Sequence, residues 1–327
     1  MVEVQFRITR KFKFINLASI IEKGISKSSF KSKLQDLYIR REYYSMGSYQ
    51  TKKINTGKYN TFYCEGGESN SETIIFLHGS GPGANSETNW RNILPALTDR
   101  YHVIAPDYYG FGNSDHPETP PKSFWEWTSC RVEQVLELMD YLSIEKAKLV
   151  GNSMGGVISM NLVMTAPERF EKVLLMGSGG GEAAPTPEIA RMVGFYKNPT
   201  YSALKNLTTW FVHNQKSLGE ELEAVINERY ENVMRPEIRK SYTSNAFPTM
   251  PGESIIPPNA LRQMEQPFLL LHGVEDRFVA KESSLSLLQH LPNAQLHLIK
   301  GCGHWMQIEK REIFLNLLTQ FFEGKLD

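Results

Sequence analysis

The 327-residue chain is predicted to fold as a mostly parallel, doubly wound α/β sheet with an inserted helical lid. Three observations predict it. From Gln50 onward, short apolar β-rich runs alternate with helical stretches, as strands covered on both faces require. Between Gly181 and about Pro258 the alternation stops, and helical patterns continue without a convincing strand. Finally, a Gly-Asn-Ser-Met-Gly turn at 151–155 follows one strand and opens a helix rich in small residues.

In chain order, the expected strands are Thr73–Leu77, His102–Ala105, Ala147–Val150, Lys172–Met176, Pro267–Leu271 and Gln295–Ile299. Each is a short apolar run bounded by turn or polar residues. Helical patterns fall at Trp90–Leu97, Phe124–Leu142, Gly155–Thr165, Lys281–His290 and Lys310–Phe322. The interruption carries three more, Pro187–Tyr196, Tyr201–Asn214 and Leu218–Met234. This divides the chain into a core of residues 46–181 and 259–327 and a lid of residues 182–258. The glycine run 177–181 is expected to be a flexible hinge into the lid.

Lys plus Arg and Asp plus Glu both number 36, so the net charge is zero, which argues against nucleic-acid binding. The three cysteines, Cys64, Cys130 and Cys302, are odd in number and widely spaced. They suit neither a disulfide framework nor a CxxC metal site, and they point to a reducing compartment such as the cytoplasm. No apolar run approaches a membrane span.

The neutral total hides an asymmetry: residues 1–45 carry ten basic and four acidic side chains, net +6, and the remainder is net −6. Three readings of this segment compete. It could be an organellar targeting segment, although Lys outnumbers Arg. It could be a peripheral amphipathic helix on which Phe14, Leu17, Ile20 and Ile21 share a face. The favoured reading is an extension without function upstream of Met46, because the α/β pattern begins just after that residue.

A serine exposed on the tight turn after strand 147–150 is placed to be a nucleophile, and Ser153 is that serine. Its hydroxyl needs a base and an orienting acid. Of eight histidines, His304 in Gly301-Cys302-Gly303-His304-Trp305 stands directly after the last expected strand and is the chosen base. His78 opens a glycine-rich loop and is read as its prop; His272 precedes the acid, and the others lack supporting context. Asp276 is the chosen acid, with neighbouring Glu275 the weaker choice. The loop His78-Gly79-Ser80-Gly81-Pro82-Gly83-Ala84 lacks the Lys-Ser/Thr of a phosphate-binding loop. It suits an oxyanion hole, formed by the Ser80 and Met154 amides.

With these pieces the chain resembles the α/β-hydrolase superfamily over about residues 60–325, in the chain order Ser…Asp…His. The segment Asp107–Asp115 resembles the family's turn after the following strand, which implies structural roles for Asp107 and Asp115. A serine nucleophile sets the chain apart from the family's dehalogenases and epoxide hydrolases, which use aspartate. A closer likeness is to the meta-cleavage product hydrolases, which cleave a carbon–carbon bond in 2-hydroxy-6-oxohexa-2,4-dienoates. It rests on His78–Ala84, Gly151–Gly156, Asp276-Arg277-Phe278-Val279 and Gly303-His304-Trp305. The resemblance implies substrate-binding roles for Asn152 and Trp305, and for Arg229 as the lid arginine that holds the dienoate carboxylate. An Arg fork suits a carboxylate bidentately. The chain departs from the family at Gly177-Ser178-Gly179-Gly180, where Gly-Pro-Gly-Gly is usual, and in Ser244–Pro258.

The expected activity is therefore C–C hydrolysis of a dienoate by Ser153, Asp276 and His304, with Asn152, Phe278 and Trp305 shaping the dienoate side. Lid aromatics Phe195, Tyr196, Trp210 and Phe211 are candidates for the variable side. No metal or organic cofactor is called for, the partner is a small-molecule substrate, and the resemblance favours a homo-oligomer. A carboxylic ester or lactone hydrolase with the same triad is the alternative, and a hydrolase-fold ligand receptor a more distant one.

Overall fold

The computed structural model describes residues 48–326 except 245–246 and 249–251, so the basic segment 1–45 lies outside the described residues. Eight strands form one sheet: β1 (Gln50–Asn55), β2 (Asn60–Gly66), β3 (Thr73–Leu77), β4 (His102–Pro106), β5 (Ala147–Asn152), β6 (Phe170–Met176), β7 (Phe268–Gly273) and β8 (Ala294–Ile299). Their order is β1-β2-β4-β3-β5-β6-β7-β8. The β1–β2 and β2–β4 pairs are antiparallel and the other five are parallel.

The central strands are apolar on both sides because both faces are covered. Along β3, Ile75 and Leu77 enter one core with Leu149, Leu175 and Leu270, while Ile74 and Phe76 enter the other with Val150, Leu174 and Leu269. Full burial of each such side chain stabilises the fold by about 2 kcal/mol before entropy is counted. The core helices are α1 (Ser86–Trp90), α2 (Phe124–Tyr141) and α3 (Met154–Thr165). A single helix was expected over Trp90–Leu97. Instead α1 ends at Trp90 and a 3₁₀ turn follows at Leu94–Ala96, because Pro95 lacks the N–H that a continuing helix needs.

Between β6 and β7 the described residues include α4 (Pro187–Val193), α5 (Tyr201–Thr209), α6 (Gly219–Val233) and α7 (Pro236–Tyr242). A short turn of helix, α8 (Pro258–Leu261), precedes β7. The remaining helices are α9 (Glu282–His290), α10 (Met306–Glu309) and α11 (Arg311–Phe322). Among the described residues, no helix is long and apolar enough to cross a membrane.

Sheet and helix meet most closely at the β5–α3 turn. A Cβ on Gly155 would strike the Leu77 carbonyl oxygen and lie 2.9 Å from that of His78. Both are fixed backbone atoms, so Gly155→Ala should cost about 3 kcal/mol. Its thermal midpoint should fall by about 5–10 °C, which differential scanning calorimetry would measure. An unchanged midpoint would mean that the turn is not packed as described.

Candidate active site

At the C-terminal ends of β3, β5 and β7, the loops and lid enclose a narrow cleft. Open α/β sheets bind ligands at these strand ends. The β5–α3 turn forces Ser153 into an unusual conformation, φ 56° and ψ −115°, one of two positive-φ non-glycine residues described. Strain of this kind costs about 1–3 kcal/mol and persists only where surroundings impose it. Here the Ser153 amide donates to Met176 O at 3.0 Å, and its carbonyl accepts from Gly156 N at 3.0 Å. Met154 is the first residue of α3, so its amide is one of the donors that a helix start leaves outside the ladder.

His304 also lines the cleft, and its Nδ1 donates to Asp276 Oδ2 at 2.6 Å. Asp276 lies behind it, with Oδ1 accepting from the Phe278 and Val279 amides at 2.8 and 3.0 Å. Burial alone would raise the pKa of this carboxyl. The two histidines beside it more than reverse that and hold it well below the usual carboxylate range. Asp276 is therefore an anion at any working pH. Glu275, the weaker choice from sequence, turns away and accepts from the Cys302 amide at 3.0 Å.

His272, set aside as the base because it precedes the acid, is the second of those histidines and sits beside Asp276. Its Nε2 donates to Val279 O at 2.9 Å and lies 3.4 Å from Asp276 Oδ2, while Nδ1 accepts from Ser284 Oγ at 2.7 Å. The glycine run at 177–181 is a packed seam rather than a loose hinge. Gly177 has φ +50°, and a Cβ there would sit 2.9 Å from His304 Nδ1 and 3.1 Å from Asp276 Oδ2. Ser283 Oγ then ties the run down by donating to Ser178 O at 2.8 Å.

The β3 loop supplies Gly79, Ser80 and Gly81 to the cleft wall. His78 braces it: Nδ1 donates to Gly79 O at 2.7 Å, and Nε2 accepts from the Tyr108 amide at 3.3 Å. Full burial pushes the His78 imidazole down to about 3, so this brace stays neutral. Asp107 likewise holds backbone, accepting from the Ser86 amide and hydroxyl and from the Asn113 amide.

The cleft is also lined by Asn152, Phe278, Trp305 and the lid residues Ile189, Met192, Phe211 and Arg229. Phe211 is stacked between Phe278 and Trp305, with ring centroids 3.8 and 4.4 Å away. Phe195, Tyr196 and Trp210 do not line the cleft. Phe195 and Tyr196 pack edge to face, and Trp210 lies under the guanidinium groups of Arg191 and Arg277. Asn89 was not anticipated: it lines the cleft from α1, buried, with Oδ1 lacking a hydrogen-bond partner.

Arg229 has the least ordinary environment of these residues. It is 2 % exposed, yet Nε and Nη1 have no hydrogen-bond partner among the described residues. Its guanidinium carbon lies 4.7 Å from the Trp305 ring, and Nη1 is 2.8 Å from where a Cβ on Gly81 would be. Neighbouring Glu228 pairs with Arg91 instead. Burial pushes the guanidinium down to about 10, so it is still a cation at neutral pH. An uncompensated cation on a cleft wall is a ready-made anion receptor.

Hydrogen bonds tie the lid to the His304 loop. The Trp305 amide donates to Phe211 O at 3.0 Å. The Glu309 carboxylate accepts from the amides of Gly303, His213 and Asn214 at 2.8, 2.9 and 2.6 Å.

Comparison with known proteins agrees with this geometry. The α/β-hydrolase fold family model matches residues 72–311. The chain is 34% identical over 253 residues to 2-hydroxymuconate semialdehyde hydrolase of Pseudomonas sp. strain CF600, covering 76% of this chain and 86% of that protein. It is 36% identical over 270 residues to 2-hydroxy-6-oxo-6-phenylhexa-2,4-dienoate hydrolase of Comamonas testosteroni, covering 80% and 91%. Among solved structures, the enzyme of that name from Rhodococcus sp. strain RHA1 superposes with a TM-score of 0.81 at 36% identity, over 85% of this chain and 99% of that one. With its fold, its strained serine turn and these relatives together, the chain belongs to the α/β-hydrolase family, alongside the hydrolases named for 2-hydroxy-6-oxo-dienoates.

Proposed function

We propose that the protein is a serine hydrolase that cleaves a carbon–carbon bond in 2-hydroxy-6-oxohexa-2,4-dienoate-type ring-cleavage products. The observation that carries this reading beyond a generic hydrolase is Arg229, a buried cation facing the same cleft as Ser153 and His304. A neutral ester has no use for it, whereas a dienoate carboxylate does.

In this reading the carboxylate rests on Arg229, between Trp305 and the β3 loop, with Asn152, Asn89 and Phe278 around the dienoate. His304, oriented by Asp276, assists the shift of the dienol to its keto form. Ser153 then attacks the carbonyl at C6 as His304 takes its proton, and the oxyanion faces the Ser80 and Met154 amides. Collapse breaks the C5–C6 bond and expels a dienolate, whose C2 oxygen takes the proton held by His304 as the dienol acid leaves. Water, deprotonated by His304, releases the acyl group from Ser153. No step calls for a metal or organic cofactor. We place this chemistry in the cytoplasm, on the three free cysteines, with a small molecule as the partner.

The test offers the full chain a 6-substituted 2-hydroxy-6-oxohexa-2,4-dienoate and a simple aryl ester side by side, following loss of the dienoate chromophore. The expected result is a kcat/KM for the dienoate at least about 100-fold above that for the ester. Turnover of the ester alone would overturn the reading and leave an ester or lactone hydrolase.

A further inference from the structure

A second arginine near the site also lacks an acidic partner, and it is nowhere on the cleft wall. Arg131, on α2, is wholly buried, with its guanidinium carbon 5.0 Å from both the Phe111 and Trp127 rings. Nε donates to Tyr109 O at 3.3 Å, Nη1 to Met154 Sδ at 3.4 Å, and Nη2 has no partner. Among the described residues no carboxylate pairs with it. A thioether is a weak acceptor, so one carbonyl, one sulfur and two ring faces hold a fully desolvated cation. Burial accordingly pushes this guanidinium down to about 9.

An apolar side chain of similar size would fill this space at less cost. The position of the charge suggests what offsets that cost. Its contact is the side chain of Met154, the residue that starts α3 directly after Ser153. The start of α3 already carries the positive end of the helix dipole, so Arg131 adds to a field of the same sign. Arg131 and Arg229 both also disfavour a charge on His78, the brace of the β3 loop, so both fields reach that loop. In the resting protein this crowding of positive potential is unfavourable, and a negative charge developing between Ser80 and Met154 relieves it.

We propose that Arg131 is a positioning residue for the oxyanion hole: it fixes Met154 through the sulfur and places a buried positive charge behind the Met154 amide. The proposal rests on the reading above, in which Ser153 acylates and the oxyanion faces Ser80 and Met154, but not on the substrate being a dienoate.

The test compares wild type, Arg131→Met and Arg131→Lys as full-length chains on a 6-phenyl dienoate and on p-nitrophenyl acetate. Inhibition by phenylboronic acid, which forms a tetrahedral anion on the serine, is measured beside inhibition by benzoate, a plain carboxylate. Arg131→Met is expected to keep its thermal midpoint and lose about tenfold or more in kcat, with KM within about threefold. Phenylboronate affinity should fall by a similar factor while benzoate affinity holds, and Arg131→Lys should recover most of both losses. Unchanged kcat in Arg131→Met, or equal weakening of phenylboronate and benzoate, overturns the proposal. Should Arg131→Met not fold, the ratio of phenylboronate to benzoate affinity in Arg131→Gln and Arg131→Lys decides. A fall in Gln alone supports it and an equal ratio in both overturns it. A wild type that ignores the dienoate defeats the C–C reading, and the ester arm then still decides on Arg131.

Discussion

Ser153→Ala should lower turnover of both dienoate and aryl ester by at least about 10⁴-fold, with the fold intact. The strained φ of 56° is imposed by the β5–α3 turn and by the bonds of the Ser153 amide and carbonyl, none of which involves the hydroxyl. Alanine removes one oxygen from the cleft wall and leaves those constraints in place, so circular dichroism and the thermal midpoint should not change. Stopped-flow measurement on both substrates gives the decisive comparison. If the ester activity disappears while dienoate turnover persists, water rather than serine attacks C6, and the acyl-enzyme step is wrong. If both persist, Ser153 is not the nucleophile.

Arg229→Gln should separate the two substrates in the opposite way. Losing a desolvated charge pair with the dienoate carboxylate costs about 2–5 kcal/mol, so kcat/KM for the dienoate should fall by about 30- to 5,000-fold. The ester, which carries no carboxylate, should change by no more than a few-fold. Stability moves the other way. The guanidinium is buried with Nε and Nη1 unpartnered, so replacing it relieves desolvation and the thermal midpoint should hold or rise. A similar loss on both substrates, with a lowered midpoint, would return Arg229 to a purely structural role in the lid.

Most of the sheet was legible because its strands are buried on both faces and read as unbroken apolar runs. The two antiparallel strands β1 and β2 were not. The sequence Gln-Thr-Lys-Lys-Ile-Asn of β1 lies at the sheet edge, partly or fully exposed throughout, and shows no apolar run to notice. The residues of the Ser153 turn and of the Asp276 and His304 loops were legible because strand-end motifs are local. Asn89 depends on strand order, which brings together residues tens of positions apart, whereas His272 reaches Asp276, Val279 and Ser284 within twelve residues through the turn after β7. Arg229 entered through resemblance alone, although α6 held a signal. Val225, Ile226, Arg229, Asn232 and Val233 are all buried, so the arginine occupies the apolar stripe of its helix. A charge in that register points to a missing counter-charge.

The junction around Glu309 bears on how such an enzyme could be re-engineered. One carboxylate gathers amides from both the His304 loop and the segment after α5, and Trp305 is bonded directly to Phe211. Grafting a foreign lid at its sequence borders would therefore replace half of a splint that sets the general base. Chimeras that carry residues 211–214 over from this chain keep the splint whole, whereas those that exchange them alter catalysis and selectivity together. In this scaffold, changing substrate range is a problem of joinery before it is one of pocket shape.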